Sequence, residues 1–240
     1  MGRLGQQRFA RSAGFAALVF VLAVSVGHAA AKPSFDCAKA TSVAEKMICA
    51  DPGLAAADAA IAANYAAALK RLDGPARKAL AQDQQDFVSY RDWIAGFDQG
   101  VPKERQNFPI DEFMRDRAAF LGAIERPNAG FVGSWKNVEG VVTIKSAGAG
   151  KLEIEADTAN PSTGGSECNV GGVVKAQTDL ELVDTDSDDK ATGFVYRFHR
   201  LGDALEAEQA GEAKGDSNEP ASCGGNGHVS GVFFLSRSKS

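Results

Sequence analysis

The sequence has no apolar run long enough to span a bilayer. Its longest, Gly14 to Val26, is about 13 residues, and a membrane-crossing helix needs roughly 20. Histidine is nearly absent: beyond residue 31 only His199 and His228 remain. The four cysteines contain no C-x-x-C pair, so the tight Cys/His spacing of a zinc site is missing and no metal is expected. There is no G-x-S-x-G, no H-E-x-x-H and no phosphate-binding Gly-Lys loop, which removes the usual signatures of hydrolase, metalloprotease and nucleotide-binding chemistry. No cofactor is implied. Lys/Arg clusters are also missing from an acidic chain, which argues against nucleic acid or an anionic membrane surface as partner.

The first residues contain three arginines, Arg3, Arg8 and Arg11, and no acid; the apolar run and then Ala29, Ala30 and Ala31 follow. This order is that of a secretory signal, so residues 1–31 are expected to be removed and the mature chain to be periplasmic or secreted. Losing three arginines takes the formal net charge from −5 to −8. In an oxidising compartment Cys37, Cys49, Cys168 and Cys223 read as two disulfides, and spacing alone leaves three connectivities open.

The remaining chain changes character at Arg126-Pro127-Asn128-Ala129-Gly130, where proline and glycine stop one pattern and start another. We therefore expect an α+β protein: a helical bundle over 32–126, a linker at 127–130 and an antiparallel β-barrel or sandwich over 131–240. In the first part, Ser42-Val43-Ala44-Glu45 is a capping box opening a short helix that ends near Cys49. Asp51-Pro52 starts a second helix, whose larger residues Ile61, Tyr65, Leu69 and Leu72 form one stripe. Gly74-Pro75 ends it. A third helix is expected from Pro75 to Gly96, with Leu80, Phe87, Val88, Arg91 and Ile94 on one side, and a fourth from Pro109 to Glu125. The many alanines at contact positions imply closely spaced helices.

The second part carries net −7. Strands are expected at Val138 to Lys145, Leu152 to Glu155, Val173 to Asp184, Gly193 to His199, Ala204 to Gln209 and Val229 to Leu235. Gly133-Ser134-Trp135, at the opening of the first, resembles the G-x-W start of lipocalin-like barrels; a core tryptophan closing a barrel end explains it as well as a ligand pocket.

Three groups invite a chemical reading. His228 and Ser230 could be drawn as base and nucleophile, but nothing in the spacing supplies an orienting acid or oxyanion donors. Asp184-Thr185-Asp186-Ser187-Asp188-Asp189 alternates carboxylates as a calcium loop does, yet has Asp189 where the glycine belongs and Val195 where the glutamate belongs; a solvated hairpin tip is the simpler reading. The other carboxylates read as surface charge, so no enzyme is expected. Cys223-Gly224-Gly225-Asn226-Gly227-His228 is the third group: a half-cystine anchors one end, and glycines permit positive φ. It reads either as a stapled barrel edge or as a pre-organised recognition loop, with Gly224, Gly225, Asn226, His228 and Ser230 as candidate contact residues.

Ser34-Phe35-Asp36-Cys37, then Glu45, Ile48-Cys49, Asp51-Pro52, Leu54, Asp58 and Tyr65, with the later Gln84, Phe87, Arg91-Asp92 and Arg117, resemble in order and spacing the LprI-type N-terminal domain of lysozyme inhibitors, over roughly residues 34–122. The resemblance implies a small, exported, disulfide-bonded helical domain. Relatives carry two further cysteines, near Ile94 and Pro109; both are missing together, as the loss of one disulfide predicts. The resemblance thus implies Cys37–Cys49 as the local pair, leaving Cys168–Cys223 as the second. The lipid-attachment cysteine is also missing, so no membrane tether is carried over. The β half resembles, more loosely, the small barrels of periplasmic lysozyme inhibitors such as MliC. Together these imply an inhibitor that occludes lysozyme or another muramidase. The alternative is a non-inhibitory cell-envelope stress module or a small-ligand-binding barrel.

Overall fold

A computed structural model describes residues 31–97, 99–102, 105–106, 108–161, 166–185, 190–212, 220–225 and 227–237. Residues 1–30 of the expected signal, the Asp186–Asp189 part of the calcium reading and Asn226 lie outside these residues.

Four helices come first, and the starts of the first two follow from side-chain chemistry. After a 3-10 turn at Cys37–Lys39, α1 covers Val43–Ala50; Ser42 accepts the Glu45 N–H while the Glu45 carboxylate accepts the Ser42 N–H, a complete capping box. Asp51 accepts the N–H groups of Gly53 and Leu54 at the start of α2, Pro52–Arg71. α3 is Gly74–Phe97 and α4 Ile110–Ala123. The helices bury Ala44, Ala57, Ala68, Ala76 and Ala95 among Ile48, Ile61, Leu80, Phe87 and Met114; small side chains at these positions let the backbones approach. Asn64 Nδ2 donates to the Ala118 carbonyl at 2.8 Å, tying α2 to α4. Val88 departs from expectation: it is 38% exposed, on the solvent side of α3.

Eight antiparallel strands follow: β1 Gly133–Lys136, β2 Gly140–Gly148, β3 Lys151–Asn160, β4 Ser166–Lys175, β5 Leu180–Thr185, β6 Ala191–Leu201, β7 Ala204–Gly211 and β8 Gly231–Leu235. Their order is β4-β3-β2-β1-β8-β7-β6-β5, a nearly closed barrel whose two ends, β4 and β5, face each other without a shared ladder. The run Val173–Asp184 is thus two strands, not one, and the G-x-W residues form their own short β1. Leu182 of β5 packs over Gly172 of β4 so closely that a Cβ there would lie 2.5 Å from Leu182 Cδ1. The seam is closed by side-chain packing, and glycine is what β4 needs at that point.

Alternation along the strands sends Val142, Ile144, Ile154, Ala156, Leu180, Phe198 and Phe233 into the barrel, around Trp135 and Tyr196. Trp135 is fully buried, donates from Nε1 to the Phe131 carbonyl at 2.7 Å, and lies under the Arg200 guanidinium, 4.9 Å from its ring centre. Arg200 in turn donates to the carbonyls of Gly130, Gly202 and Ala204. The tryptophan therefore plugs one barrel end.

The helices and the barrel share packing. Ala204 and Phe234 belong to the helical core, and Phe120 meets Phe234 at 6.4 Å. Past α4 the chain pairs with the end of β8: Glu125 N–H donates to the Leu235 carbonyl, and Arg237 N–H to that of Ala123. The carboxylates read as surface charge need correction at four positions, because Asp58, Asp83, Asp184 and Asp203 are buried. Each holds backbone N–H groups or side-chain donors that the fold would otherwise leave unpaired. Among the described residues no helix is long and apolar enough to cross a membrane.

Candidate functional site

The Cys223 loop lies across the β4–β5 seam. Cys168 and Cys223 are disulfide-bonded, and Cys37 is bonded to Cys49. Around the first bond the loop adds backbone pairing to the free edge of β4: Asn169 N–H donates to the Ser222 carbonyl at 2.9 Å, and Gly224 N–H to that of Glu167 at 2.8 Å. On the other side it is held by Asp184 of β5. One Asp184 oxygen accepts the Ser222 hydroxyl at 2.5 Å; the other accepts Ala221 N–H at 2.9 Å and the Thr192 hydroxyl at 2.6 Å. Burial and the nearby Asp184 carboxylate push the Tyr196 hydroxyl well above the ordinary phenol range, so it stays protonated. Tyr196 Oη lies 3.6 Å from Cys223 Sγ. The segment 220–224 is a clasp joining the two ends of the sheet.

The expected contact residues divide on this geometry. Gly224 and Gly225 are exposed at the turn, where Gly227 N–H donates to the Gly224 carbonyl at 2.7 Å. Ser230 is committed inward: its hydroxyl accepts Gln209 N–H at 3.2 Å. The His228 carbonyl accepts the Thr158 hydroxyl at 2.8 Å, and His228 Nδ1 is buried with no hydrogen-bond partner among the described residues. No hydrogen bond joins His228 to Ser230 there, so the base–nucleophile arrangement is not assembled. Asp184, the first carboxylate of the calcium reading, is occupied as the clasp's acceptor. Among the described residues no cluster of three or more His, Cys, Asp or Glu could hold a metal.

Two features on the helical side were not among the candidate site residues, although Gln84, Phe87 and Arg117 of the first belong to the resemblance motif. The first is the junction with the barrel. Arg117 donates to Asp83 at 2.6 Å and to Gln84 at 2.8 and 3.1 Å, with its guanidinium between Phe87 and Phe120. The second Asp83 oxygen accepts the Val138 N–H at 2.8 Å. Burial pushes the Asp83 carboxyl upward against the pull of Arg117. An open cleft of about 530 Å³ borders this network, walled by Phe108, Phe113 and Phe120 and rimmed by Asp116 and Lys136.

The second feature is an exposed aromatic pair. Trp93 and Phe97 stack at 5.0 Å with nearly parallel rings, 37% and 64% exposed. They follow Tyr90, whose hydroxyl donates to Glu139 at 2.5 Å, along one face of α3.

The described residues form a four-helix disulfide-bonded unit docked on an acidic, nearly closed antiparallel barrel. The helical unit matches the family model described as Lysozyme inhibitor LprI over residues 37–126. That match ends where the chain leaves α4, so the barrel lies outside it. No curated protein and no solved structure matches the chain.

Proposed function

We propose that the protein is an exported, non-enzymatic binding protein that inhibits lysozyme or a related muramidase by occluding its active site. The match of residues 37–126 to a lysozyme-inhibitor family carries this reading. Two disulfides fit an oxidising, periplasmic or secreted setting. The net −7 of residues 131–240 supports it as well, because lysozymes of the common animal type are basic and opposite charge speeds encounter.

The occluding contact is assigned to the loop Gly224–Ser230. Its fixing by the disulfide and by Asp184 means that little ordering entropy is lost on binding. With the Ser230 hydroxyl bonded to the Gln209 backbone and the His228 carbonyl to the Thr158 side chain, the exposed turn at Gly224 and Gly225 is the part that faces a cleft. The barrel's filling by Trp135, Tyr196, Phe198 and Phe233 weighs against the alternative of a ligand held inside it.

The test is purified residues 32–240 added to lysozyme acting on a cell-wall suspension. Loss of turbidity should slow in proportion to added protein, and the effect should weaken as salt rises. Undiminished lysis at a large excess would reject the reading.

A further inference from the structure

The face of α3 that docks on the barrel continues past it. Asp83, Tyr90 and Phe97 recur at seven-residue spacing and so share one side of the helix. Asp83 is covered by the Val138 backbone and Tyr90 is bonded to Glu139, whereas Phe97, two turns further on, is 64% exposed. Trp93, stacked on it, is the next most exposed aromatic ring among the described residues. A burial stripe that outruns its cover is unlike a scattered surface apolar residue, and paired exposed aromatics are typical anchors of protein interfaces.

Acidic groups lie at the Tyr90 end of this pair. Asp86 precedes Trp93 by two helical turns, and both Asp86 and Glu139 act on the Tyr90 hydroxyl, whose pKa is raised by burial first and by Glu139 next. The nearest cation along α3, Arg91, is buried and bonded to Asp92. Nor is the strip isolated from the Cys223 loop. Asn160 donates to Glu139, and Thr158, two residues earlier on β3, donates to the His228 carbonyl. Glu139 and the loop are thus both bonded to the end of β3.

We propose that Trp93 and Phe97, flanked by Asp86 and Glu139, form a docking face for a basic protein that places arginine or lysine side chains against the rings. Carboxylates draw the cation in, and the ring faces hold it. A second copy of this chain is a poor occupant, because two such acidic faces repel. The identity of the partner rests on the lysozyme reading above; the location of the face does not.

The experiment uses residues 32–240 and the variants F97S and W93S/F97S, with melting curves to confirm that each is folded; F97S, at a mostly exposed position, keeps the test valid should the double variant unfold. Binding to a basic lysozyme is measured by calorimetry. We expect both variants to bind about tenfold or more weakly, the loss typical of an aromatic anchor. If wild type binds and the folded variants bind equally well, this face is wrong and the lysozyme reading stands. If wild type does not bind lysozyme, that reading fails, and the face is judged by titration with nona-arginine. Trp135 is fully buried, so Trp93 is the exposed reporter of the chain's two tryptophans. A saturable change in its emission, lost in F97S and at high salt, upholds the face; an unchanged emission overturns it, as does concentration-dependent dimerisation through the pair.

Discussion

Asp73 and Asp203, 130 residues apart, exchange hydrogen bonds: each carboxylate accepts the other's backbone N–H, at 2.8 and 3.0 Å. The other Asp73 oxygen accepts the Ala76 N–H in the first turn of α3, and Arg126 reaches the Asp203 carboxylate at 3.1 Å. One reciprocal pair therefore fixes the start of a helix against the β6–β7 turn. The turn needs Gly202, at φ +60°, because a Cβ there would fall 2.0 Å from Asp73 Oδ2. Asp203→Ala leaves the Asp73 N–H without its acceptor and should lower stability by about 1–3 kcal/mol; Gly202→Ala combines backbone strain with that clash and should also destabilise. Denaturant titration measures both. Because the pair joins the helices to the barrel, helical circular dichroism and the signal of buried Trp135 should fall together in wild type; separate transitions would show that the joint does not couple them.

The Asp83–Arg117 pair makes a stronger demand. Both side chains are buried, and the carboxylate also holds the Val138 N–H. Removing one partner leaves a buried charge uncompensated, so Asp83→Ala should cost about 3–5 kcal/mol, far more than loss of the exposed Lys145–Glu155 pair, for which about 0–1 kcal/mol is expected. Equal losses would mean that the interior pair is screened by water.

What could be read beforehand tracks how local the physics is. Ser42 with Glu45, Asp51-Pro52 and Gly74-Pro75 place helix ends through contacts within four residues, and the helices begin and end there. Only the last residues of β4, 173–175, fell within an expected strand; Gly171-Gly172 just before them carries no strand signal, and the reason for Gly172 is Leu182 on another strand. Gln177-Thr178-Asp179 has no glycine or proline, so the break between β4 and β5 left no mark. The candidate loop was visible through its cysteine and glycines. Its holder Asp184 was not, since an aspartate amid aspartates looks solvated until Ser222, Thr192 and Ala221 arrive. Trp93 and Phe97 carried no mark: Phe97 falls one residue past the helix expected to Gly96, and how exposed Trp93 is depends on what packs against that helix.

Glu45 supplies the pH test. Its carboxylate accepts the N–H groups of Thr41 and Ser42, at 2.6 and 3.0 Å, and these bonds hold its pKa below the ordinary value of 4.5. A depressed carboxylate binds its proton less readily when folded. Its stabilising contribution is therefore complete above pH 4.5 and disappears as pH falls through the lower folded value. Carbon-13 NMR titration should place the Glu45 midpoint below the ordinary value of 4.5. Glu45→Ala should fray α1 and remove this part of the acid sensitivity; an ordinary midpoint would mean that the capping box is open in solution.

The two disulfides should differ in weight. Cys37–Cys49 closes a separation of 12 residues and Cys168–Cys223 one of 55. In the chain-entropy account these contribute about 3 and about 4 kcal/mol. The structure adds a second reason for the same order: Cys223 anchors the segment that carries Ser222 and Ala221 to Asp184, so its release loosens the bonds spanning the β4–β5 seam, whereas Cys49 sits in an α1 that retains its capping box. Cys168→Ala should therefore melt at a lower temperature than Cys49→Ala, each measured with the surviving disulfide oxidised. It should also expose the seam, read as faster hydrogen exchange at Asn169 and Gly224, whose N–H groups donate across the clasp. If Cys49→Ala melts first, or if exchange at those two amides is unchanged in Cys168→Ala, then the hydrogen bonds of Asp184 close the barrel without help from sulfur.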